Sequence, residues 1–363
     1  MATNTLAQMI PRPQIWTLAL REKGDEPGSS AIPDECMATN EYDGRLGIRI
    51  SSIFVIFIGS MLGCIGPLLL RRFSNNSALS SCFFAAKFFG SGVIIATAFI
   101  HLLAPAIAAL YSPCLDPDSV ITTYPWPEGI CLMSVFAMFF VQLVVNHYVA
   151  KLSTPRGTEH GSAPQPAPES RAYQHSPRSE AEGDSPHPDG KDNLLNSSEE
   201  PFAVQLSSLF ILEFGIIFHS VLIGLTLAVA GEELIVLYIV LAVHQTFEGV
   251  GLGARLTDIA WPHGKGFLPY VLSAIYSLST PISIAIGLGI RETFKPNSHG
   301  ALVISGVFDS ISAGILLYTG LVQLVAQDFF SHARQHSGLD YKLKAFMWMT
   351  LGAGLMALLG NWA

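Results

Sequence analysis

Eight apolar stretches divide this chain, each near or above the roughly 20 residues that a membrane-spanning helix needs. They run at about Ile48 to Leu70, Phe83 to Leu103, Ile130 to Ala150, Phe202 to Ala230, Leu234 to Leu256, Phe267 to Ile290, Ala301 to Gln327 and Leu343 to Leu359, the last being the shortest. The pattern predicts an all-α polytopic membrane protein with eight transmembrane helices. A non-cytosolic tail (1–47) leads into helices 1 to 3 (48–150), a long cytosolic loop (151–201), and helices 4 to 8 with the candidate site (202–363).

Polar residues inside the spans carry the chemistry. The fourth stretch holds His219, and the fifth holds His244 with Glu248 one turn further on. An ionisable group at bilayer depth costs roughly 2.5 to 3.5 kcal/mol or more, so it faces a partner, a cavity or an ion. Only the turn around Gly231, Glu232 and Glu233 separates the two stretches, which predicts an antiparallel hairpin. At a rise of about 1.5 Å per residue both histidines fall roughly 18 Å from that turn, near the middle of the hydrocarbon core. Glu248, at i+4, shares a helix face with His244. Two nitrogens and a carboxylate oxygen can therefore converge.

Lys and Arg set the orientation, because short cytoplasmic loops are enriched in them. Arg71 and Arg72 lie in the first connection, Arg255 and Lys265 at the fifth, and Arg334, Lys342 and Lys344 at the seventh, whereas the second and fourth have none. The sixth, with Arg291 and Lys295, weakens the contrast without reversing it. Odd connections are thus expected in the cytosol and both termini outside it. The first 47 residues contain four prolines and no continuous apolar core, so no cleavable signal is expected.

The connection from 151 to 201 is rich in Ser, Pro, Gly, Glu and Asp, a composition that buries too little apolar surface to order itself. It is expected to be a disordered loop. Its His160, His175 and His187 are read as solvent-facing, with metal sensing as the alternative.

Composition agrees with a membrane protein: 50% of the 363 residues are hydrophobic and 13% charged, against about 25% charged in soluble domains. A formal charge of −8 and the lack of a dense basic cluster argue against nucleic acid. Neither a phosphate-cradling Gly-Lys-Ser/Thr run nor a serine nucleophile elbow is present. Of five cysteines, Cys64 and Cys82 fall in or beside spans, while Cys36, Cys114 and Cys131 are placed on the non-cytosolic side. There a Cys36 to Cys114 disulfide is chemically allowed, although spacing alone does not determine pairing.

His219-Ser-Val-Leu-Ile-Gly224 followed by His244-Gln-Thr-Phe-Glu-Gly249 resembles the paired signature of the ZIP (Zrt/Irt-like) metal transporters in their fungal and plant form. Glu41-Tyr-Asp-Gly-Arg-Leu-Gly47, Gly92 to His101, Leu212-Glu-Phe-Gly215, Thr280-Pro281 and Gly306 to Gly314 extend the resemblance over nearly everything but the ends and the long loop. The resemblance implies a transporter, not an enzyme, that moves zinc, with iron or manganese as secondary substrates, into the cytosol. It makes His219, His244 and Glu248 the principal metal ligands, with Ser220 and Gln245 beside a second position. Ile223 stands where some members carry a second carboxylate, which argues against a fully occupied two-metal centre. Thr280 likewise replaces an acid, and Gln323, Gln327 and Asp328 stand where relatives have more acid and histidine.

Further candidates are His101, either hydrogen-bonded to a neighbouring helix or a ligand, and the embedded acids Glu213 and Asp309, which can serve the ion path or pair with each other. Asn146 and His147 are read as interfacial. No prosthetic group is expected, Zn2+ or Fe2+ being substrate, and the partners are divalent ions and lipid, with a homodimer left open. The plasma membrane is the expected location, with vacuolar or Golgi membrane as alternatives. A metal sensor without transport and an intramembrane zinc hydrolase are the competing readings, the latter requiring a water-activating acid beside three strong ligands.

Overall fold

The computed structural model describes residue 36 and residues 42–72, 77–153, 202–326, 329 and 338–362. Most of the N-terminal tail, residues 154–201 with their three histidines, and Gln327 and Asp328 lie outside the described residues. Among the described residues the chain is all helical, and eight helices are long and apolar enough to cross a membrane. These are α1 (Leu46–Arg72), α2 (Ser77–Ala96, continued through Thr97–Leu103 and Ala104–Leu110), α3 (Trp126–Ser153), α4 (Phe202–Val229), α5 (Leu234–Asp258), α6 (Leu268–Gly289), α7 (His299–Leu317, continued through Tyr318–Ala326) and α8 (Leu339–Leu359). Their outer faces expose Phe54, Leu62, Phe136, Phe140 and Ile239, side chains suited to lipid contact.

Helices overrun the apolar stretches, because the hydrogen-bond ladder continues while polar side chains reach the interface. Thus α3 begins at Trp126, α8 at Leu339, and α2 runs on to Leu110. Pro105 does not end α2. It has no N–H to give the carbonyl of His101, four residues back, and the helix passes this point as a π-helical stretch from Thr97 to Leu103. His101 sits inside that widened turn.

Small residues decide which helices meet. The expected α4–α5 hairpin exists as a connection, but α5 packs mainly along α1 and α4 mainly along α6. A Cβ on Gly63 of α1 would strike the Thr246 carbonyl of α5, and one on Gly253 of α5 would strike the Cys64 carbonyl of α1. Gly224 of α4 faces Ser283 and the Thr280 carbonyl of α6 in the same way. Lipid offers no hydrophobic drive for association, so close backbone approach sets the pairing. The result is two groups of four: α1, α4, α5 and α6 in one, α2, α3, α7 and α8 in the other.

Gly63→Ala should therefore lower thermal stability by about 1 to 3 kcal/mol, the usual penalty of overpacking. Gly66→Ala, where an added Cβ meets nothing within 4 Å, is the control, and melting of the two purified variants compares them.

One face gathers the start of α1, the α4–α5 turn and the α6–α7 connection. Arg45 donates to the Gly231 carbonyl, and Tyr42 lies beneath the guanidinium groups of both Arg49 and Arg291. The chain therefore alternates direction as eight successive spans require. Cys36 and Cys114 form a disulfide. Cys131 is a free, buried cysteine in the first turns of α3.

Candidate metal centre

His219 and Ser220 come from the middle of α4, and His244, Gln245 and Glu248 from the middle of α5. One ligand-type atom from each of His219, His244 and Glu248 can be chosen so that all three lie within 4.8 Å of one another. The residues are 2%, 2% and 1% exposed. Glu248 Oε1 is 3.2 Å from His244 Nε2, and the two histidine rings are 5.7 Å apart.

Both nitrogens of His219, Nε2 of His244 and both oxygens of Glu248 are buried without a hydrogen-bond partner among the described residues. Such groups cost several kcal/mol unless something compensates them. A tetrahedral zinc with bonds of about 2.0 Å would set its ligand atoms roughly 3.3 Å apart. Glu248 Oε1 and His244 Nε2 already have that spacing, at 3.2 Å, and the whole set lies within 4.8 Å.

Ser220 and Gln245 lie beside this set but are engaged differently. Gln245 Nε2 donates to Ser220 Oγ at 3.1 Å, and the Gln245 carbonyl accepts from Tyr276 Oη at 2.6 Å. Gln245 Oε1 remains without a partner. The pair links α4 to α5, while Tyr276 fixes α5 against α6. Sequence reasoning passed over Tyr276, whose hydroxyl in an apolar span was the available signal.

The rings of His101 and His244 meet in a T-shaped contact, with centroids 4.5 Å apart. Its Nε2 is 2.9 Å from the Met356 carbonyl of α8. A carbonyl only accepts, so Nε2 carries the proton and Nδ1 keeps its lone pair. Asp309 does not pair with Glu213. Its Oδ1 lies 3.5 Å from His219 Nδ1, while both oxygens of Glu213 are buried without a partner among the described residues.

Thr280 is fully buried in α6, and its Oγ1 has no hydrogen-bond partner among the described residues. Gln323 Nε2 donates to Ser208 Oγ at 2.6 Å and to Gln142 Oε1 at 3.1 Å, joining α7, α4 and α3 away from the histidines. Asn146 Oδ1 accepts from Gln142 Nε2, and His147 is exposed at the end of α3.

The family profile described as ZIP Zinc transporter matches residues 46–360. Zinc-regulated transporter 1 of Schizosaccharomyces pombe is 42% identical over 94% of this chain and 91% of its own length. Zinc-regulated transporter 2 of Saccharomyces cerevisiae is 38% identical over 91% and 97%, and zinc transporter 9 of Oryza sativa is 33% identical over 92% and 95%. With eight membrane helices that converge on two imidazoles and a carboxylate, and with a profile match spanning all of them, this chain belongs to the ZIP family.

Proposed function

We propose that the protein transports divalent metal cations across the membrane, with zinc as principal substrate and iron and manganese as secondary ones. His219, His244 and Glu248 are the ligands, and Ser220 and Gln245 are polar neighbours. The observation that carries this reading is the convergence of three ligand residues at mid-helix depth, their atoms buried and, among the described residues, left without a hydrogen-bond partner. Imidazole and carboxylate suit zinc and its first-row neighbours. Three protein ligands leave a position open, as release requires of a transporter. The similarity to proteins named zinc transporters supports the same reading.

Movement is toward the cytosol, across the plasma membrane. Arg71, Arg72 and Lys265 lie on the face opposite the α4–α5 turn, and positive charge favours the cytosolic side there.

Expressed in cells deprived of their own uptake system, the protein should raise accumulation of radioactive zinc supplied outside. Excess unlabelled zinc should compete best, with iron, manganese and cadmium weaker. Zinc bound by purified protein but not accumulated by cells would instead identify a sensor.

A further inference from the structure

Each imidazole of the centre is approached by a side chain from the opposite helix group. His101 of α2 meets His244 in a T-shaped ring contact. Asp309 of α7 faces His219 of α4, with Oδ1 3.5 Å from Nδ1. Its other oxygen, Oδ2, accepts from Ser305 Oγ at 3.2 Å, one turn earlier on the same helix. Asp309 is 5% exposed, and among the described residues His219 is its one ion-pair neighbour. Asp309 nevertheless stands outside the group of ligand atoms that lie within 4.8 Å of one another.

We propose that Asp309 is a positioning residue for metal transport, holding the His219 ring from across the boundary between the helix groups instead of entering the coordination shell. This rests on the reading of His219 as a metal ligand. An imidazole has two nitrogens, and a carboxylate engaging one fixes the tautomer and the ring plane so that the other nitrogen faces the ion. Ser305 restrains the carboxylate in turn, leaving Oδ1 directed at the ring. The gap of 3.5 Å lies just beyond hydrogen-bond length, and a shift of roughly 0.3 Å closes it. His219 is thereby steered from outside its own helix group, and the centre is complete only where α4 and α7 lie together.

Zinc accumulation kinetics, normalised to folded transporter at the cell surface, test the proposal. Asp309→Ala should raise KM roughly 10- to 100-fold, the usual loss when an outer carboxylate is removed from a metal-bound histidine. Maximal rate should change by less than about threefold, since the missing interaction serves binding. Asp309→Asn, which keeps an acceptor oxygen of the same shape, should recover most of the affinity. A merely structural Asp309 would lower the amount of folded protein and leave KM alone. An Ala variant with wild-type KM, or an Asn variant as impaired as Ala, overturns the positioning role. His219→Ala separates this from the parent reading: wild-type transport there removes the metal centre itself, whereas an inactive His219→Ala beside a wild-type KM in Asp309→Ala removes only the role of Asp309.

Discussion

Glu248→Gln should give a protein that is more stable than the wild type without metal and that accumulates no measurable zinc. The two effects have opposite signs because the same side chain is costly in the empty bundle and needed in the loaded one. Glu248 is 1% exposed, and neither of its oxygens has a hydrogen-bond partner among the described residues. A buried carboxylate costs several kcal/mol, whereas a neutral amide costs about 1 to 3 kcal/mol. The variant should therefore gain on the order of 1 to 2 kcal/mol, less what the contact with His244 contributed.

Zinc reverses the balance. Apparent binding energies of about 10 to 16 kcal/mol for four-ligand zinc sites give each ligand roughly 3 kcal/mol, so losing the anionic one should weaken binding by at least about 100-fold. Melting of purified protein with and without zinc reads both effects. Wild type at about 100 times its Kd should gain about 2.7 kcal/mol from the ion, and the variant at the same zinc concentration at most about 0.4 kcal/mol. His244→Ala should match it in lost transport but lose stability as well, because it vacates the face on which His101 packs. A Glu248→Gln protein that gains as much from zinc as the wild type would remove Glu248 from the ligand set.

Legibility in the sequence followed the physics of each feature. Spans were legible because backbone polar groups in lipid must be satisfied within the helix, so a membrane helix needs a long apolar run. Convergence of His219, His244 and Glu248 was legible too, since a short turn makes depth countable along the chain. Packing partners were not. The chain has 32 glycines, and only coordinates distinguish Gly63, pressed on Thr246, from Gly66, which meets nothing. The contact of Asp309 with His219 was hidden for the same reason, because it depends on where α7 lies beside α4. The widened turn at His101 had a signal in Pro105, but a proline can kink, end or widen a helix. Arg49 was passed over although a signal existed: it is an arginine at the edge of the first apolar run, six residues after an acid.

Arg49→Ala should be the most destabilising single change outside the metal centre. Arg49 is fully buried. Its Nη1 donates to the carbonyls of Leu227 and Ala228 at 2.9 and 3.0 Å. Its Nη2 donates to the Ala230 carbonyl at 2.6 Å and to Asp43 Oδ1 at 2.9 Å. The last carbonyls of a helix have no partner within it and carry its negative dipole end. One guanidinium from α1 therefore caps the end of α4, and Asp43 holds the guanidinium in place.

Truncation strips those carbonyls of their donor and leaves Asp43 with Arg45 alone, a loss of about 3 to 5 kcal/mol by analogy with broken buried pairs. That corresponds to a melting temperature lower by about 4 to 7 °C for a chain of this length. Arg49→Lys should recover only part, because an ammonium cannot present the planar fork that reaches several acceptors at once. The hydrogen bond from Arg45, with Arg49 adding to it, holds Asp43 below its ordinary value of 3.8. A lowered folded value means that the acid's contribution is present above that ordinary value and is lost only as pH falls through the lower one. The melting difference between wild type and Arg49→Ala should therefore persist from neutral pH down to about pH 4 and shrink below it. A variant that melts with the wild type would mean that water, not Arg49, satisfies the end of α4, and the tie between α1 and the His219 helix would be lost as an explanation.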